Sequence, residues 1–165
     1  MRILGVDPGT HRTGTGVIES EGNRYRLVYS ETITISSKLS LSEKLSRIYT
    51  SLRAVIRRHK PDILALENVF FAKDVRATVK IGEARACAML AASEEGIRVV
   101  EYAPARVKQS VSGNGRATKE QVQHMIKSLL NLKTLPPPDS ADALAVAICH
   151  LHSKDKLCTS TSPGN

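Results

Sequence analysis

The sequence predicts an α/β protein, a mixed five-stranded sheet flanked by helices, on three observations. Short apolar runs that read as strands alternate with stretches of helical periodicity, two capping-box patterns mark helix starts, and glycine and proline punctuate the boundaries. Residues Arg2 to Val6 form the first strand, a short buried run closed by the turn formers Asp7-Pro8-Gly9-Thr10. Gly14 to Ile18 reads as the second. Arg24 to Ile35 carries β-branched and aromatic residues in partial alternation and reads as the third, joined to the second by a Glu21-Gly22-Asn23 turn. The opening is thus a three-strand meander.

Ser40 and Glu43 make a capping box, after which Leu41, Leu45, Ile48, Leu52 and Val55 recur at helical spacing until His59-Lys60-Pro61 stops the run. Ile63 to Leu66 is a continuous apolar strand ending at Glu67. Ala77 to Glu95 is a helix rich in small residues, closed by Gly96, and Arg98 to Tyr102 is the fifth strand. Thr118 and Gln121 form a second capping box opening a helix to about Leu130. After Pro136-Pro137-Pro138, a rigid connection, a last helix runs from Asp139 to Leu151. The order strand, strand, strand, helix, strand, helix, strand, helix, helix suits the ribonuclease-H-like fold. One domain over residues 1–153 is expected, with 154–165 a disordered tail; no internal repeat or interdomain linker interrupts it.

Composition narrows the function. The chain of 165 residues carries 24 Lys and Arg against 16 Asp and Glu, a net charge of +8 that favours polyanionic partners such as nucleic acid. The three cysteines, Cys87, Cys149 and Cys158, are odd in number and widely spaced, which excludes a disulfide framework and fits a reducing cytoplasm. The apolar run at the N-terminus is too short for a signal peptide or a membrane span.

The chemistry lies in four carboxylates. Asp7 and Glu67 end two buried strands, where open sheets build their binding crevices. Asp139 and Asp142, three apart, fall on one face of a helix start. Four converging carboxylates repel unless cations neutralise them. Mg²⁺ prefers oxygen ligands, and two ions ~4 Å apart stabilise the attacking and leaving oxygens of an in-line displacement, so the implied reaction is phosphodiester hydrolysis. Taken singly, each acid has a plainer reading: Asp7 as a turn former, Asp139 as a helix cap, Asp142 as a partner of the helix dipole. Glu67 is harder to dismiss, because it closes the apolar run Ile63-Leu64-Ala65-Leu66, where an unpartnered charge is costly.

Ile3-Leu4-Gly5-Val6-Asp7-Pro8-Gly9-Thr10 with Thr13-Gly14-Thr15-Gly16, Leu66-Glu67-Asn68-Val69-Phe70, and Asp139-Ser140-Ala141-Asp142-Ala143-Leu144-Ala145 resemble the motifs of the RuvC family of bacterial Holliday-junction resolvases. The resemblance covers nearly the whole chain. It implies a ribonuclease-H-like nuclease acting on four-way DNA junctions in recombination and repair. The enzyme would be a homodimer nicking two opposed strands symmetrically. Asp7, Glu67, Asp139 and Asp142 would be the catalytic acids, holding Mg²⁺, two per site, with Mn²⁺ able to substitute. It also implies the branch-migration proteins RuvA and RuvB as partners. Thr15 and Asn68 depart from the usual pattern without touching a ligand position.

The stretch 102–119 contains Arg106, Lys108, Arg116 and Lys119 and no acidic residue, with Gly113-Asn114-Gly115 as a flexible tip, and reads as a phosphate-gripping segment. Lys108 and Lys119 match basic positions of the family, and Arg76 is placed with them as a DNA contact. Of the two phenylalanines, Phe70 matches the family's DNA-facing position and is expected to stack on a base, while Phe71 reads equally well as core. The small-residue helix around Ile81 to Leu90 either covers the sheet or forms a dimer surface. A zinc site from Cys149, His150, His152 and Cys158 is disfavoured, because adjacent helix residues point in different directions. Three rivals remain. A nuclease of the same fold that trims ribosomal RNA is opposed by Phe70 and the Asp-x-x-Asp pair. A sugar-kinase-like or actin-like ATPase needs far more chain. A junction-binding protein without activity sits poorly with four intact acids.

Overall fold

The computed structural model describes residues 1–22, 24–68 and 75–158, with side chains through Ser153. Strands β1 (Arg2–Asp7), β2 (Arg12–Glu21) and β3 (Arg24–Thr34) precede α1 (Leu41–His59), β4 (Ile63–Glu67), α2 (Val75–Glu94) and β5 (Arg98–Tyr102); α3 (Pro104–Ser112), α4 (Lys119–Leu129) and α5 (Pro138–Cys158) complete the chain. The sheet order is β3-β2-β1-β4-β5. The meander pairs antiparallel, while β4 lies parallel to both β1 and β5, giving the expected mixed sheet.

The continuous apolar runs of β1 and β4 follow from burial on both faces. Side chains alternate between the faces of a strand. Ile3, Ile63 and Ala65 accordingly pack with α3, α4 and α5, whereas Leu4, Val6, Leu64 and Leu66 pack with α1 and α2. The same alternation turns Gly5 and Asp7, and likewise Glu67, toward α5. That places the two strand-end acids on the side of the sheet where the last helix begins.

Both capping boxes form: Ser40 with Glu43 on α1, and Thr118 with Gln121 on α4. Four differences from the sequence reading exceed a single residue. β2 is longer than Gly14 to Ile18 because its edge pairs with β3 along its whole length. α2 begins at Val75. α5 continues to Cys158, past the expected end at Leu151 and into the stretch read as tail; residues 159–165 lie outside the described residues. The fourth is α3, in the segment read as phosphate-gripping and given no helix. Pro104 opens it at the first helical position, Val107 and Val111 are buried one turn apart, and Gly113 ends it in the left-handed conformation, φ 73°.

Candidate active site

Strands β1 and β4 run side by side with Val6 paired to Leu66, so Asp7 and Glu67 emerge together at adjacent carboxyl ends. Helix α5 supplies the other two acids. It lies unusually close to the sheet because glycines face it: a Cβ on Gly5 would overlap the Ala143 carbonyl, and one on Gly14 would overlap the Asp139 carbonyl. Ser140, fully buried between the two aspartates, comes within 3.3 Å of the Thr32 hydroxyl of β3. Gln123 of α4 donates to the Pro136 carbonyl at 2.5 Å, holding the proline connection ahead of the helix. The first turn of α5 is therefore fixed from both sides over Asp7.

The electrostatics register the crowding. Burial first, then the carboxylates of Asp142 and Glu67, push Asp7 up from 3.8 to about 7, with Asp139 adding to the effect and Lys119 opposing it. Burial and Asp142 also raise Glu67, against the pull of Lys119 and Lys108. All four acids thus belong to one field. They do not form a closed cage: among the described residues no three His, Cys, Asp or Glu side chains are gathered tightly enough to hold a metal ion as they stand. The two α5 acids lean on cations instead. Lys119 Nζ donates to Asp142 Oδ2 at 3.2 Å, and Arg12 Nε donates to Asp139 Oδ2 at 2.6 Å.

Of the basic residues expected to grip DNA, Lys108 and Lys119 stand at the acids. Arg116 is exposed on the loop before α4, where its backbone N–H donates to Asn114 Oδ1 at 2.9 Å. Arg76 is exposed in the first turn of α2. Arg106 stands apart: its guanidinium lies over the Tyr102 ring, 5.5 Å from the centroid, and donates to Ser153, roughly 16 Å of helix beyond Asp142. Phe70 and Phe71 lie outside the described residues. Arg12, Gly5 and Gly14 were given no role by sequence reasoning. The glycines are visible as breaks in strand patterns, a sign of close backbone approach, but Arg12 carries no local signal.

The residues weighed for zinc have other roles. Cys149 is fully buried in the core, the Nδ1 of buried His150 is 2.6 Å from the Tyr102 hydroxyl, and His152 Nδ1 is 2.9 Å from the Ser110 carbonyl oxygen. The side chain of Cys158 lies outside the described residues.

The profile of the family "Crossover junction endodeoxyribonuclease RuvC" matches residues 3–150. A protein of that name from Bordetella avium is 49% identical over 153 residues, covering 93% of this chain and 84% of the relative. Another from Pelotomaculum thermopropionicum is 48% identical, covering 92% and 93%. The Thermus thermophilus RuvC structure superposes with a TM-score of 0.87 at 35% identity, over 94% of this chain and 96% of that one. The same enzyme in complex with Holliday junction substrate gives 0.86 at 33%, with the same coverage. The yeast mitochondrial resolvase Ydc2, with a TM-score of 0.69 at 10% identity over 95% of this chain and 82% of that one, shares the fold. On the matched motifs, the ribonuclease-H-like sheet and the acids gathered at its carboxyl edge, the chain belongs to the RuvC family of crossover junction endodeoxyribonucleases.

Proposed function

We propose that this chain resolves four-way DNA junctions by metal-dependent nicking of two opposed strands. The observation that carries the reading is the meeting of Asp7 and Glu67, at the ends of neighbouring parallel strands, with Asp139 in the first turn of α5 and Asp142 at the start of the next. The relative from Thermus, whose structure holds Holliday junction substrate, supports the choice of DNA.

The donor set fits a hard divalent cation, since it is made of carboxylates alone and its most buried member, Asp7, is pushed up to about 7 by burial first and then by its neighbours' charge. Asp7, Glu67, Asp139 and Asp142 would hold Mg²⁺, or Mn²⁺ in its place, two ions in each site. When bound, such ions lower the pKa of a coordinated water and stabilise charge on the phosphate. The chain's own residues do the rest. Asp7 and Glu67 project from strands inside the sheet, so they offer a stationary pair of oxygens. Gly5 and Gly14 let α5 bring Asp139 and Asp142 down to the same level. Lys119 and Lys108 set a positive field beside the acids, which draws the DNA backbone toward a site that would otherwise repel it. Arg76, Arg116 and Phe70 extend this surface in the reading, with Phe70 stacking on a base where the junction opens.

Symmetric cutting needs two sites, and α2 offers the surface for pairing them. Its inner side, Ala84, Cys87, Ala88, Ala91 and Ala92, is buried in the core. On the other side Val75, Val79 and Leu90 are 70%, 54% and 58% exposed, in line with Gly82 and Ala86 at helical spacing. A second copy of the chain is the natural cover for this stripe, by an isologous contact. Family likeness adds RuvA and RuvB as partners and the cytoplasm as the setting; none of the described helices is long and apolar enough to cross a membrane.

Asp7→Asn tests the chemistry. The variant keeps the side-chain shape and should bind a four-way junction with the affinity of the parent while losing cleavage. Cleavage at the parental rate would remove Asp7 from the mechanism.

A further inference from the structure

Two of the four acids are engaged with cations from the chain itself, Asp142 with Lys119 and Asp139 with Arg12. Arg12 is the first residue of β2, separated from Asp7 by the short loop 8–11. Its Nε donates to Asp139 Oδ2 at 2.6 Å, so a carboxylate oxygen that a divalent ion needs is taken. The backbone that carries Arg12 is well held. Thr13, next along, is fully buried, and its hydroxyl donates to the Gly9 carbonyl at 2.8 Å. The side chain is not: that of Arg12 is 58% exposed and that of Asp139 27%. A pair this open to water is weak and exchangeable, worth ~0.2–1 kcal/mol. The planar fork of a guanidinium matches a phosphate at least as well as a carboxylate.

We propose that Arg12 is a positioning residue that trades partners: it holds Asp139 in the metal-free enzyme, yields that carboxylate to the arriving divalent cation, and turns its guanidinium to a phosphate of the bound DNA. The inference rests on the reading of the four acids as cation ligands. Asp139 stays turned to Arg12 until an ion competes for it. The exchange spares the loop a bare positive charge in one state and the helix start a bare carboxylate in the other.

Arg12→Ala separates the two halves of the exchange. Free Mn²⁺ is titrated against the DNA-free protein and read by its electron paramagnetic resonance signal; losing a competitor of this strength should tighten Mn²⁺ binding about 1.4- to 5-fold. Junction affinity, measured in Ca²⁺ over a range of salt, should weaken, with the log–log salt slope smaller by about one phosphate contact. Arg12→Lys should keep the slope. Mn²⁺ affinity that is equal or weaker in Arg12→Ala would overturn the exchange, and an unchanged salt slope would overturn the phosphate half. If the unsubstituted protein itself binds no Mn²⁺, the reading of the acids falls together with the inference, an outcome distinct from equal binding by both proteins.

Discussion

Replacing Asp7 with Asn should make the metal-free protein more stable at alkaline pH, although it removes the residue on which the proposed chemistry depends. Asp7 has an unfolded-state pKa of 3.8 and a folded-state value of about 7. Below pH 3.8 it is protonated in both states and contributes nothing to the pH dependence. As pH rises from there, the unfolded chain ionises while the folded one keeps its proton, so folding loses ground until about pH 7 and the penalty is constant above that. At about 1.36 kcal/mol per pH unit, the span of roughly 3 units corresponds to ~4 kcal/mol. An Asn amide in the same crowded place gives back ~1–3 kcal/mol where its N–H groups go unmatched. The net gain is therefore ~1–3 kcal/mol at pH 8.5, or roughly 2–12 °C in Tm for a chain of this size. Thermal melts of both proteins in chelator, from pH 4 to pH 9, would show the difference growing with pH. Millimolar Mg²⁺ should then reverse it by raising the Tm of the parent protein more than that of the variant. A variant less stable than the parent at pH 8.5, or a difference that does not change with pH, would refute the reasoning.

Two further substitutions probe the scaffold. Gly14→Ala sets a methyl group against the Asp139 carbonyl and should cost ~1–3 kcal/mol of stability while lowering cleavage by displacing the first turn of α5; denaturant melts and junction assays would check both, and full activity would mean that the close approach is dispensable. Leu90→Glu places a charge in the exposed stripe of α2 and should convert a dimer to monomer in sedimentation velocity without unfolding the chain, whereas an unaltered dimer would move the interface elsewhere.

Much of the architecture is legible in the sequence because its signals are local. The capping boxes at Ser40 and Thr118 and the apolar runs of β1 and β4 are each contained in a few neighbouring residues. The site is legible in part for the same reason: strand ends at Asp7 and Glu67 and the three-residue spacing of Asp139 and Asp142 are short-range patterns. What could not be read locally is how they meet. That depends on Gly5 and Gly14 admitting a helix from the far end of the chain, and it was the family resemblance that joined the four acids. Arg12 escaped for the same cause, its partner being 127 residues away. Helix α3 was missed because its nine residues bury only Val107 and Val111, too short a stripe to stand out among lysine and arginine. Arg106, grouped by sequence with the DNA contacts, is turned by that helix toward Tyr102 and Ser153.

The most direct test of the account is cleavage of a labelled mobile four-way junction beside a linear duplex of matched sequence, each with Mg²⁺ and with chelator. Paired, symmetric nicks in the junction alone, and only with Mg²⁺, are expected. Junction binding without cuts, or equal cutting of the duplex, would contradict the reading of these four carboxylates as the centre of a junction-resolving nuclease.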